Sequence, residues 1–319
     1  VVNELFNILS KLYDLKTTGG PMFELYLKNA LLLLMEDAAN EPATLLELPR
    51  VFTDAEFRAR KLARISNPTV IDFWEKEATK VTSDEHSLAS MAPYITSKFN
   101  NFTANDYIRP IVSQPVSAFN FRTIMDEGKI LLVNLSKGKI GEVNAGLMGM
   151  IVVGKILMAA FSRADATEES RRDFNLYIDE FQNFTTDSIA TILSEARKYH
   201  LNLVIAHQFI AQLTEPIRDA VFGNVGSTVA FRVGAPDAEY LAKIFGSTLS
   251  VEDLANIENL NAYVRLLIAG QTTQPFNIKT PFADRGNGEL AARLRELARQ
   301  VYGSDRAKVE AEALRRLRS

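Results

Sequence analysis

Residues 174–180 read FNLYIDE, an apolar run broken only by Asn175 that stops abruptly at two acids, Asp179 and Glu180. A short run with aromatic and β-branched members, closed by polar residues, reads as a buried strand. Two carboxylates at the carboxyl end of a strand sit where open α/β sheets bind ligands. There the first acid is suited to Mg²⁺, directly or through water, and the second to polarising an attacking water. The plainer alternative is a structural βαβ unit whose acids are only solvated.

The residues downstream narrow the choice. A loop with a candidate helix cap, Thr185 or Thr186, leads into a stretch with Ile189, Ile192, Leu193 and Ala196 at helical spacing. It ends in Arg197-Lys198-Tyr199-His200, cations that suit a helix C-terminus. A second apolar run, 201–206, then stops at His207-Gln208. Strand with acids, helix, and strand with glutamine form the second half of a RecA-like P-loop ATPase core, with Asp179-Glu180 as its Walker B pair. The expected class is therefore α/β, a mainly parallel sheet with helices on both faces.

The segments IDEFQNF, SEARKYHLNLVIAHQ, NVGSTVAFRVGAPDAEYLAKIF and NAYVRLLIAG resemble the conjugative coupling proteins of type IV secretion (TraG/TraD-like), within the HerA/FtsK group of hexameric DNA-pumping ATPases. The resemblance covers residues 117–281 well. It implies ATP and Mg²⁺ as cofactors, with Asp179 holding the metal through water and Glu180 activating water. It makes Gln208 the γ-phosphate sensor and Arg197 a finger reaching a neighbouring subunit's nucleotide. It also implies a homo-hexamer with DNA in its lumen, and relaxase and secretion-channel partners. The expected place is the cytoplasm, at the inner face of the bacterial membrane.

Such an ATPase needs G-x-x-x-x-G-K-[ST], whose backbone N–H groups cradle phosphates. The near-match at 149–156, GMIVVGKI, lacks the Ser/Thr and continues as the apolar run LMAAF. It reads as a helix packed on a sheet. A chain that begins at Val1 without a phosphate loop is expected to be a piece of a longer protein.

The 47% apolar content is enough for a sizeable core, and the absence of cysteine excludes disulfides and cysteine–zinc sites. A net charge of −3 is unlike a domain whose whole surface grips nucleic acid, although a basic face is compatible with it. Residues 2–108 read as helices at 2–13, 22–35, 54–65, 68–78 and 84–99, with starts at Asn67-Pro68 and Ser83-Asp84. Phe73 and Trp74 are expected in their core and His86 on a helix surface. The expected domains are a helical one at 1–115, inserted in the ATPase core, the core at 116–284, and a charged helical tail at 285–319.

KILLVNL at 129–135 reads as a buried parallel strand. The glycine-hinged loop after it carries Lys137 and Lys139, a candidate contact for DNA phosphates or an ordinary solvated turn. Further strands are expected at 227–233, with Arg232 in a structural role, and at 263–268, with a helix at 236–245. The reading that gathers these features is an ATP-driven DNA-transfer motor. Two others stay open: a secretion ATPase for protein export or pilus assembly, and a catalytically silent cargo-docking module.

Overall fold

The computed structural model describes residues 2–78, 87–186, 188–246 and 248–318, so Ser83, Asp84 and His86 lie outside the described residues. The fold is mixed α/β and mostly helical, in two compact units: residues 1–159 with 295–319, and residues 160–294.

The first unit holds only helices among its described residues. Its centre is the helix Gly20–Glu36, where Phe23, Tyr26, Leu27, Ala30 and Leu33 are all but removed from water. Asn67 starts the helix Pro68–Asp72 by accepting the Thr69 N–H, with proline at the first turn. The chain then widens into a π-turn, Phe73–Ala78, that drives Phe73 and Trp74 into the core. Tyr26, Phe73 and Trp74 meet edge to face, with centroids 5.1 Å apart for Tyr26–Phe73 and for Phe73–Trp74. Pairs of that geometry add about 0.5–1.5 kcal/mol beyond their buried area.

Residues 149–156 lie inside the continuous helix Glu142–Ser162. A Cβ at Gly154 would sit 3.2 Å from Glu4 Cγ, so this glycine allows the helix Val2–Tyr13 to pack closely against it. The stretch 142–165 is long and apolar enough to cross a membrane, yet Ala145, Leu147, Met150 and Ile156 are buried as in a core helix.

One sequence expectation is corrected in this unit. Residues 129–135 form no strand, and Ile130 and Leu132 are 88% and 85% exposed. An apolar run becomes a strand only where a neighbour takes its N–H and C=O groups, and no described strand pairs with it. The charged tail is helical and its end is packed. Its last helix, Arg306–Arg318, buries Ala313 and seats Arg316 against Glu47 at 3.0 Å, and Arg50 Nη1 donates to the Arg316 carbonyl at 2.7 Å. Arg316 Nη2 also donates to the Ser113 carbonyl. The helix before it, Gly288–Tyr302, does keep Leu290, Leu294, Leu297 and Val301 in water.

The second unit starts with two parallel strands, β1 (Phe174–Ile178) and β2 (Leu201–Ile205), paired from Phe174↔Leu201 to Ile178↔Ile205. β3 (Thr228–Ala230), β4 (Asn261–Arg265) and β7 (Phe276–Lys279) form a separate antiparallel sheet in the order β3-β4-β7. β5 (Leu267–Ile268) and β6 (Gln271–Thr272) make a hairpin whose turn, Ala269-Gly270, has positive φ at both positions. That conformation matches the twist of two-residue hairpins. The single, mainly parallel sheet expected over 129–268 is thus corrected to one parallel pair and antiparallel pieces. Strand-sized apolar runs look alike in both settings. The helix Ala235–Phe245 packs Ala238, Leu241 and Phe245 with Ala230, Ile210 and Leu254 into a core.

One interaction in the helical unit gives a direct test. Asp37 and Lys61, both without exposed side chain, pair at 2.7 Å, with Glu41 as a further partner of Lys61. Removing one member of a buried pair strands the other and costs about 3–5 kcal/mol. Asp37→Ala is expected to lose that amount in urea unfolding, whereas replacing both residues by apolar ones of similar size costs much less. A loss under about 1 kcal/mol for Asp37→Ala would show that Lys61 is not desolvated as described.

Candidate active site at the carboxyl ends of β1 and β2

The parallel ladder continues past the strand ends. The Ala206 N–H donates to the Ile178 carbonyl and the Phe181 N–H to the Ala206 carbonyl, each at 2.9 Å. These bonds bring the residues after β1 beside those after β2. Asp179 is exposed there and Glu180 half-buried. Glu180 lies in the left-handed region, φ 50° and ψ 45°, a conformation uncommon for a side chain of its length. It leads into a tight 3₁₀ turn, Phe181–Asn183, anchored by the fully buried Phe181.

The Glu180 carboxylate accepts two side-chain amides. Gln208 Nε2 donates to Oε1 at 2.5 Å, and Gln182 Nε2 to Oε2 at 2.7 Å. The Glu180 N–H in turn donates to Asp179 Oδ1 at 3.0 Å. Asp179, Glu180 and Gln208 are therefore one cluster. Gln182 joins it, although nothing in its sequence position beyond its place two residues after Glu180 singles it out. Chemically, the cluster offers an exposed carboxylate to a cation and a second one whose oxygens are fixed in direction.

Arg197 lies elsewhere. It is exposed on a 3₁₀ turn, Ala196–Tyr199, that ends the helix Ser188–Glu195 and immediately precedes β2. In a parallel pair this is the opposite end from Glu180, about 17 Å away along a five-residue strand. The turn is gripped by two arginines that the sequence reading passes over. Arg163, fully buried, donates through Nη1 to the carbonyls of Tyr199 at 3.0 Å and Arg172 at 2.9 Å. Arg171 donates to the carbonyls of Lys198, Ala166 and Arg163. His200, left-handed at φ 55°, bonds Asp173 through Nδ1 at 2.9 Å.

Lys137 and Lys139 belong to the other unit, on the exposed turn Lys137–Ile140, with Lys137 paired to Glu142 at 3.0 Å. Arg232 is corrected. β3 ends at Ala230, and Arg232 is exposed in a bend after it rather than held within a strand. Of the proposed helix caps, Thr185 and Thr186 are both buried, and Thr185 Oγ1 donates to the Gln182 carbonyl at 3.3 Å. Among the described residues, no group of three or more His, Asp or Glu converges as a metal site, so a cation at Asp179 would take its other ligands from water and phosphate.

His207 lies between Ala206 and Gln208. Burial pushes its imidazole below the ordinary 6.5, and the nearby Asp237 only partly opposes this. Asp237 itself, 8% exposed, accepts the Ile210 N–H at 3.2 Å. With the folded pKa depressed, the unfolded chain binds the proton first. The stability contributed is complete above about 6.5 and is lost as pH falls from there to the folded value. His207→Gln is therefore expected to flatten the fall of stability below about pH 6.5. An unchanged slope in denaturant titrations at a series of pH values would assign that fall to other groups.

Residues 173–256 match a protein-family model described as the TraM recognition site of TraD and TraG. The match begins at the residue before β1 and contains the whole acid–glutamine cluster and Arg197. No curated protein matches the chain. A solved structure of a bacterial conjugative coupling protein, TrwBdeltaN70 in an unbound monoclinic form, superposes with a TM-score of 0.57 at 18% identity. That superposition covers 82% of this chain and 65% of the other, so the chain spans less than two thirds of its length. Residues 173–256 are thus similar to the TraM recognition site of TraD and TraG, and the chain is TraG/TraD-like, with the fold of a conjugative coupling protein.

Proposed function

We propose that this chain is the Walker B half of an ATP-driven motor that couples DNA transfer to a conjugative type IV secretion channel, in the manner of the HerA/FtsK group. The observation that carries the reading is the 2.5 Å bond between Gln208 and Glu180 across the ends of a parallel strand pair, with Asp179 exposed beside it. A carboxylate directed by an amide from the next strand suits water activation, and an exposed neighbour suits a hydrated Mg²⁺. The Mg²⁺–nucleotide supplies charge neutralisation and the phosphoryl group. This chain's residues do the rest. Asp179 would hold the cation through water, Glu180 would take up the proton of the attacking water, and Gln208 would contact the terminal phosphate. Residues 149–156 do not fit a phosphate cradle, since they are a helix interior packed on Glu4. No step is assigned to them.

Arg197 would serve a neighbouring subunit of a ring, a reading that its exposure and its separation from its own Glu180 support. The DNA would run in the lumen, with Lys137 and Lys139 as candidate contacts, and the assembly would stand at the cytoplasmic face of the membrane. The description of the matched family supports a TraM-like or other relaxosome partner for residues 173–256. That description, with the helix at 149–156, also favours a second reading, a docking module without turnover.

The two readings separate in the natural protein assembled with nucleotide and DNA. Glu180→Gln is expected to lower DNA-stimulated hydrolysis by about 10²–10⁴ while nucleotide binding persists, the usual loss for a general base. Arg197→Ala alone is expected to be nearly inactive. Mixed assemblies of the two variants should regain turnover, because an intact Arg197 then faces an intact Glu180. Full activity of either single variant sinks the motor reading at that residue, and a parent protein without DNA-stimulated hydrolysis favours the docking module.

A further inference from the structure

Glu180 holds the water-activating place in the proposed motor, yet one of the residues that hold its carboxylate belongs to no motif. Gln182 sits on the 3₁₀ turn Phe181–Asn183. The Phe181 N–H bonded to the Ala206 carbonyl and the Thr185 hydroxyl bonded to Gln182's own carbonyl both hold that turn. From this fixed base, Nε2 donates to Glu180 Oε2 at 2.7 Å, the oxygen that Gln208 leaves untouched. The other end of the same amide, Oε1, is buried without a hydrogen-bond partner.

That asymmetry fixes the direction of the amide. An ionised carboxylate only accepts, so the NH₂ group must face Glu180 and the carbonyl must face away. Burying a carbonyl unpaired is unfavourable, so the bond to the charged carboxylate has to compensate for it. The bond from Gln182 fixes the second carboxylate oxygen as the bond from Gln208 fixes the first.

We propose that Gln182 is a positioning residue that locks the direction of the Glu180 carboxylate, so that Gln208 meets it in one geometry. The proposal rests on Glu180 acting on water, but its test needs neither nucleotide nor turnover, so the two can fail separately. In the intact chain, through-bond NMR assigns the side-chain NH₂ signals of Gln182 and Gln208. Both are expected to stand apart from those of a solvated glutamine in the parent, and to move together in Glu180→Gln. In Gln182→Met, which keeps length but cannot donate, thermal unfolding should be little changed. The Gln208 signal should shift toward that of a solvated glutamine. A Gln208 signal untouched by Gln182→Met overturns the proposal, as does a Gln182 signal that Glu180→Gln leaves unmoved. If Gln182→Met does not fold, the Gln182 signal in Glu180→Gln decides. In the assembled natural protein, the same substitution should lower kcat with little change in KM.

Discussion

Everything proposed for this chain hangs on the backbone ladder between β1 and β2. Five residues of each run parallel in fixed register, and two further bonds, to Ile178 and from Phe181, extend the ladder past the strands. Parallel pairing puts both carboxyl ends at one edge, so residues 28 positions apart in sequence, Glu180 and Gln208, touch. The same geometry sends Arg197 to the other edge. A one-residue slip would turn every side chain of β2 to the opposite face, and Gln208 would no longer be presented to Glu180.

This part of the fold was legible because the signals are local and strong. The run 174–178 ends in acids at the residue where the strand ends, and 201–205 is a strand almost to the residue. The helical character of the first hundred residues was legible from 3.6-residue spacing and from Asn67-Pro68, which caps as read. What failed depends on partners that a sequence does not display. Residues 129–135 carry every local mark of a strand, yet find no neighbour among the described residues. The direction of pairing was misjudged because an apolar run of a few residues looks the same in a parallel and an antiparallel sheet. Gln182 and the arginines at 163 and 171 were invisible for a different reason. The arginines bond main-chain carbonyls, which no side-chain pattern records, and Gln182 reaches Glu180 only because the backbone turns left-handed between them.

Three arginines show one device used repeatedly. Arg163 and Arg171 direct their guanidinium donors to carbonyls of the turn that presents Arg197, and Arg316 divides its own between the Glu47 carboxylate and the Ser113 carbonyl. A planar fork of five N–H groups can satisfy several loop carbonyls at once in a fixed geometry, with more donors than a lysine's three. In the second unit the result is a stiff turn bearing an exposed cation. In the first, it is a C-terminal helix tied to residues 47, 50 and 113.

The left-handed backbone at Glu180 bears on which amino acids the position accepts. Judged by conformation alone, glycine is the natural occupant, with asparagine or aspartate next, since each visits that region at little cost. A glutamate there gives up about 1–3 kcal/mol. No local preference selects it, and the neighbouring turn would close more easily without it. Selection for stability alone would favour another residue here, so the position trades folding free energy for a glutamate side chain.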